Sequence, residues 1–169
     1  MTQQESIQLI QQGILAKTPE IWADFGCGTG AFTTALATLL PAGSKVVGVD
    51  KSYQKFPKLV SEVQIEFLQN DFLKDELSLP HLDGILMANS LHFVADKVNF
   101  LKELKSKMEN PKFLIVEYDT NRANHWVPYP INFKSLQILF LNLGYSSVQK
   151  LKEQQSIYGG EMYAALIKN

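Results

Sequence analysis

Cysteine is almost missing from this 169-residue chain: Cys27 stands alone, and a lone cysteine excludes both a disulfide framework and a zinc cluster built on paired cysteines. An excess of positive or negative charge is missing too, with 16 lysines and arginines against 17 acidic residues. The formal net charge is −1, so there is no broadly basic surface for nucleic acid or an anionic membrane. Apolar runs stay well short of the ~20 residues that a membrane-spanning helix requires. The opening MTQQESIQLIQQG lacks the basic-then-apolar order of a signal peptide. These absences set the expectation of a cytoplasmic globular protein that binds no nucleic acid and no membrane. Repeats and low-complexity tracts are lacking as well.

With 46% hydrophobic and 20% charged residues, the chain can bury a full core as a single domain over residues 1–169. Thr2 and Glu5 form a capping-box pattern ahead of Ile7, Ile10 and Ile14, predicting a helix that ends near Gly13 and a linker to residue 18. Strands are then expected at 20–25, 45–50, 64–69, 83–88 and 112–118. Helices are expected at 31–40, in a short segment broken by Pro57, after Asp96 (with Val98, Leu101, Leu104 and Met108 on one face), and at 133–143 ahead of Gly144. Lys102, Lys105 and Lys107 read as a solvated face of the third of these. Two last strands, at about 145–151 and 161–168, have only a short loop at 156–160 between them and should pair antiparallel. The expected fold is therefore α/β: a doubly wound, mostly parallel seven-stranded sheet with the last strand antiparallel and helices on both faces.

The stretch 23-ADFGCGTG-30 follows the first strand. Ligands in such sheets sit beyond the carboxyl ends of the strands, where the strand order reverses. Gly26 and Gly28 allow the backbone to turn tightly and approach a ligand, and the following helix offers free N–H groups. The glycines alone also satisfy the dinucleotide fingerprint, G-x-G-x-x-G/A. Asp24 separates the two readings. A carboxylate ~4 Å from a diphosphate costs several kcal/mol at an effective dielectric near 20, whereas a ligand carrying an ammonium group gains from it. Asp50, ending the second strand, can accept from ribose hydroxyls. In 70-NDF-72, Asp71 can accept from an adenine amine and Phe72 can line the base.

A cationic amino-acid end, a ribose and an adenine describe S-adenosylmethionine. On 22-WADFGCGTG-30, Asp50, 70-NDF-72 and 83-DGILMANSLHFV-94, the chain resembles the class I S-adenosylmethionine-dependent methyltransferases over residues 20–168, including the terminal antiparallel pair. The resemblance implies a Rossmann-like methyltransferase fold and carries family roles onto matching positions. Asp24, Gly26 and Gly28 would hold the methionyl portion, Asp50 the ribose, and Asp71 the adenine amine. The backbone of Phe72 would face an adenine ring nitrogen, and 89-NSLH-92 would lie near the reactive methyl. Pro57, inside the second helix, departs from the family pattern.

Methyl transfer is a displacement at a carbon already activated by sulfur, so the protein mainly aligns and desolvates. His92 is the candidate base, with a loop-orienting role as its alternative, and Asn89 is a candidate donor contact. The loop 119–132 holds the only arginine, Arg122, with Trp126 and Tyr129. With Tyr118 it forms the expected side for a small-molecule acceptor, although Trp126 and Tyr129 could instead pack down as a lid. Cys27 lies in the donor loop, away from where ring-carbon methylation needs a nucleophilic thiol. Asp119 alone is too little for a metal, so none is expected. The other readings are a non-catalytic S-adenosylmethionine-binding partner domain and an NAD(P)-dependent oxidoreductase.

Overall fold

The computed structural model describes residues 1–106, 108–109, 112–156 and 160–169. Lys107 and the centre of the 156–160 loop, both addressed by the sequence reading, lie outside the described residues.

Eight strands form one sheet in the order β3-β4-β2-β1-β5-β6-β8-β7. They are β1 (Ile21–Phe25), β2 (Lys45–Asp50), β3 (Leu59–Val60), β4 (Val63–Gln69), β5 (Gly84–Ala88), β6 (Lys112–Tyr118), β7 (Ser147–Gln155) and β8 (Glu161–Lys168). The run β4-β2-β1-β5-β6 is parallel, and β8 runs antiparallel between β6 and β7. The reversed last strand is as expected, and it lies one place in from the edge. Buried runs such as KVVGVD and KFLIVEY suit a sheet covered on both faces. One face carries α1 (Gln3–Ile10) and α2 (Ala31–Leu39), burying Leu9, Ile10, Phe32 and Leu36. The other carries α3 (Lys97–Ser106) and α4 (Phe133–Asn142), burying Leu101, Leu104, Leu136 and Phe140.

Three expectations are corrected. First, the sheet has eight strands, not seven, and the added one replaces the helix expected around Pro57. Proline denies that segment a backbone donor, and residues 51–58 cross the sheet edge without regular structure. Phe56 packs against Phe67 there, and Ser61 and Glu62, at φ 49° and 62°, turn β3 back onto β4. Second, Val98 is not on the buried face of α3; it is exposed. Third, Lys105 does not sit on a freely solvated face. It donates to the Leu143 carbonyl at the end of α4 (2.8 Å) and lies over the Tyr145 ring, a cation meeting a helix C-terminus. The capping box at Thr2 and Glu5 forms as read, and α1 ends at Ile10 with a single further turn to Gly13.

Candidate active site

The chain passes from β1 to β2 on one side of β1 and later returns to β5 on the other. The strand order therefore reverses at the carboxyl ends of β1 and β5, and the glycine turn lies in that crevice. The Gly26 and Cys27 N–H groups donate to the Val49 carbonyl (2.8 and 3.1 Å), tying the turn to β2. From the β5 side, Ser90 donates to the Phe25 carbonyl (2.5 Å). Gly26 has φ +73°, and a Cβ there would lie 2.6 Å from the Ser90 Cβ. Only glycine fits. Gly28 differs: at φ +49° its added Cβ would meet nothing within 4 Å, so its backbone faces open space.

Asp24 is 1% exposed on β1. Its Oδ2 accepts from the Thr33 hydroxyl (2.6 Å), while Oδ1 is buried with no partner. Burial pushes the carboxyl up to about 7, Thr33 draws it back, and the Asp50 charge adds to the rise. A buried carboxylate oxygen lacking a donor costs free energy until a cation or donor reaches it. A second orphaned oxygen, Asn89 Oδ1, lies just beyond β5, where the Asn89 backbone takes φ +55° and donates to the Val116 carbonyl (2.8 Å). An ammonium-bearing ligand fits these residues.

Asp50 already has a task. Its Oδ2 accepts from the Gly28 N–H and its Oδ1 from the Ser52 N–H, each at 2.9 Å. Each oxygen retains one lone pair for a hydroxyl. Asp71 likewise acts as a turn residue, accepting from the Leu73 N–H (3.2 Å) and pairing with Lys74 (3.4 Å). The Phe72 ring stacks between Phe25 and Phe100 and comes within 3.5 Å of the Cβ position at Gly26, so it closes one wall of the crevice.

His92 sits in a single turn after β5 and is 3% exposed. Its Nδ1 lies 2.7 Å from Glu117 Oε2, and its backbone N–H donates to Glu117 Oε1 (3.0 Å). Glu117, 1% exposed on β6, is a residue the sequence reading passed over. Its signal was visible: a lone carboxylate inside the apolar run KFLIVEY needs a buried partner. The strap of residues 124–131 crosses above. The Tyr129 N–H donates to the His92 carbonyl (3.0 Å), and Lys97 donates to the carbonyls of Val94 (2.8 Å) and Tyr129 (2.7 Å).

Tyr118, Arg122 and Trp126 do come together. They line one cavity of about 660 Å³ with Asp119, Thr120 and Asn124. Trp126 is 78% exposed, so it has not packed down as a lid. Asp119 is a structural residue, accepting from the Phe133 N–H (3.0 Å) and pairing with Lys150 (3.4 Å). A second cavity, of about 690 Å³, lies beneath the other end of the strap and is lined by Phe72, Phe93, Phe100 and Tyr129. Neither cavity is lined by the glycine turn. Among the described residues no three histidine, cysteine or acidic side chains gather to hold a metal, and no helix is long and apolar enough to cross a membrane.

A family model described as "Methyltransferase domain" matches residues 23–110. A solved S-adenosylmethionine-dependent methyltransferase from Aquifex aeolicus is 17% identical, with TM-score 0.66 over 96% of this chain and 89% of that one. The plantazolicin methyltransferase BpumL, solved with S-adenosylhomocysteine, is 16% identical, with TM-score 0.61 over 98% and 82%. The mitomycin 7-O-methyltransferase MmcR is 14% identical, with TM-score 0.60 over 98% of this chain and 53% of that one. No curated protein matches the chain in sequence.

Proposed function

The chain belongs to the methyltransferase-domain family, and from that premise we propose that it transfers the methyl group of S-adenosylmethionine to a small-molecule acceptor at the carboxyl-end rim of the sheet. One observation carries the reading: Asp24 presents a buried, unpartnered carboxylate oxygen beside a glycine turn whose backbone is open at Gly28. The ligand that relieves that oxygen carries an ammonium group, as the methionyl end of the donor does. In this reading Gly26 and Gly28 supply the backbone surface for the methionyl portion, Asp50 accepts from the ribose hydroxyls through its free lone pairs, and Asp71 accepts from the adenine amine. Phe72 walls the base, and Asn89 contacts the donor near the transferred methyl. The donor, when bound, supplies a carbon activated by sulfonium; the chain's residues orient it and exclude water.

In this reading Tyr118, Arg122 and Trp126 form the acceptor side, and His92 takes the acceptor's proton. A flat acceptor suits the exposed indole of Trp126. The reading includes a cytoplasmic setting and no nucleic-acid partner, supported by the lone cysteine and the net charge of −1.

Two titrations test the donor site. Because the Asp24 carboxyl is pushed up to about 7, a cationic ligand must displace its proton in acid. Donor affinity should therefore rise with pH to a plateau above pH ~7 and fall up to about tenfold per pH unit below it. Calorimetry at several pH values should find this slope in the wild type and none in Asp24→Asn. A flat profile in the wild type rules out the ammonium contact. In Asp50→Ala, donor binding should weaken by about 1.5–3 kcal/mol, as for lost hydrogen bonds to a charged group. Unchanged affinity removes the ribose assignment.

A further inference from the structure

The methyl-transfer reading leaves the buried carboxylate of Glu117 without a task. Glu117 sits at the carboxyl end of β6, 1% exposed, and both its oxygens are spent on one residue, His92. We propose that Glu117 is a positioning residue that keeps the His92 proton on Nδ1, leaving Nε2 bare to take the proton of an acceptor oxygen or nitrogen.

The geometry supports this in three ways. Glu117 grips His92 at two points, fixing the main chain of the turn after β5 with one oxygen and the ring with the other. A carboxylate on one ring nitrogen sets the tautomer and raises the basicity of the other. Nε2 has no hydrogen-bond partner among the described residues, yet it is not among the side-chain atoms sealed from solvent without one. Finally, the ring neighbours both Phe93 (centroids 4.4 Å apart) and Tyr118 (6.1 Å), and each of these lines a different cavity. The pair itself lines neither cavity; it lies directly behind Phe93 and Tyr118, one lining residue of each.

Its charged surroundings are few. Lys97 on α3 is close enough to Glu117 for the carboxylate to favour its charged form, against a larger effect of burial. Tyr163 on β8 donates to the Ile131 carbonyl (2.8 Å), and burial holds its phenol neutral. Asp119, two residues on, is engaged by Lys150. In the step served, a lone pair of the acceptor atom forms the new bond to the methyl carbon. The carbon–sulfur bond breaks with its electrons left on sulfur, and the acceptor's proton passes to Nε2 and on to solvent. The inference rests on the methyltransferase reading.

The test is a ¹⁵N NMR titration of protein labelled at its three histidines, run in the S-adenosylmethionine and S-adenosylhomocysteine complexes. His92 is assigned by the signals lost in His92→Gln. At the alkaline end the wild type should carry its proton on Nδ1 alone, and Glu117→Gln should mix the two tautomers. The two ligands differ by one positive charge. A ring whose Nε2 reaches the acceptor atom stands within ~6–8 Å of the sulfonium, so it should titrate lower in that complex by roughly 1.5–2 pH units at an effective dielectric near 20. A proton on Nε2, a ring still doubly protonated at the alkaline end, or equal midpoints in the two complexes overturns the proposal. The wild-type arms decide the matter even where Glu117→Gln does not fold. A protein that binds neither ligand overturns the methyltransferase reading itself.

Discussion

Replacing Glu117 with alanine is expected to cost about 3–5 kcal/mol of folding stability, the range for removing one partner of a buried pair. The carboxylate satisfies two donors, the backbone N–H and the ring Nδ1 of His92, in a site that excludes water. Alanine supplies neither acceptor, and each orphaned donor costs roughly 1–3 kcal/mol. Glu117→Gln keeps the volume and one acceptor oxygen, so its loss should be smaller, about 1–3 kcal/mol. A surface comparison sets the scale. Lys45 and Glu66 pair at 2.8 Å with side chains 27% and 49% exposed, and Glu66→Ala should cost at most about 1 kcal/mol. Urea unfolding of the three variants gives the values directly. A Glu117→Ala loss no larger than that of Glu66→Ala means the buried pair contributes nothing to holding β5 against β6.

The second large effect is expected at Gly26. Gly26→Ala should lose about 2–5 kcal/mol of stability from two separate causes: about 1–2 for a left-handed backbone carrying a Cβ, and about 1–3 for overpacking. The overpacking is specific. The new methyl would stand 2.6 Å from the Ser90 Cβ, and Ser90 cannot retreat without giving up its bond to the Phe25 carbonyl. Gly28→Ala is the informative partner. Its conformation is also left-handed, but nothing lies within 4 Å of the added Cβ, so only the strain of about 1–2 kcal/mol applies. That methyl would instead cover backbone offered to the ligand. Donor affinity should therefore fall further in Gly28→Ala than stability does, whereas in Gly26→Ala the two should fall together. Unfolding curves and calorimetric titrations of both variants check this, and equal patterns in the two would mean that Gly28 does not face the donor.

The strap over His92 explains how a loop can shape the acceptor side without regular structure. Its backbone is held by Tyr129 on the His92 carbonyl and by Lys97 on two carbonyls, while Asn124 accepts from the N–H groups of Trp126 and Val127 (2.8 and 2.9 Å). Trp126 and Tyr129 are left free to face outward. The anchoring depends on a lysine some thirty residues away in sequence, and no local pattern announces it.

Apart from residues 51–60, the order of strands and helices, the parallel sheet with its reversed last strand and the place of the glycine-turn crevice could be read from the chain alone. These follow from short-range causes: apolar runs of strand length, caps such as Thr2 with Glu5, and glycines where the backbone must take positive φ. The position of Asp24 and Asp50 beside the glycine turn follows from the bounds of β1 and β2, which their apolar runs set. The remaining features depend on which residues meet across the sheet. The replacement of a helix by β3 turned on Phe56 and Phe67 packing at the edge. The use of Asp119 as a support for α4 depended on the return of residues 132–133 to β6. The two-point grip of Glu117 on His92 joined residues 25 apart. Periodicity registers how a residue relates to its neighbours along the chain, and these contacts form between strand ends that only the completed sheet brings together.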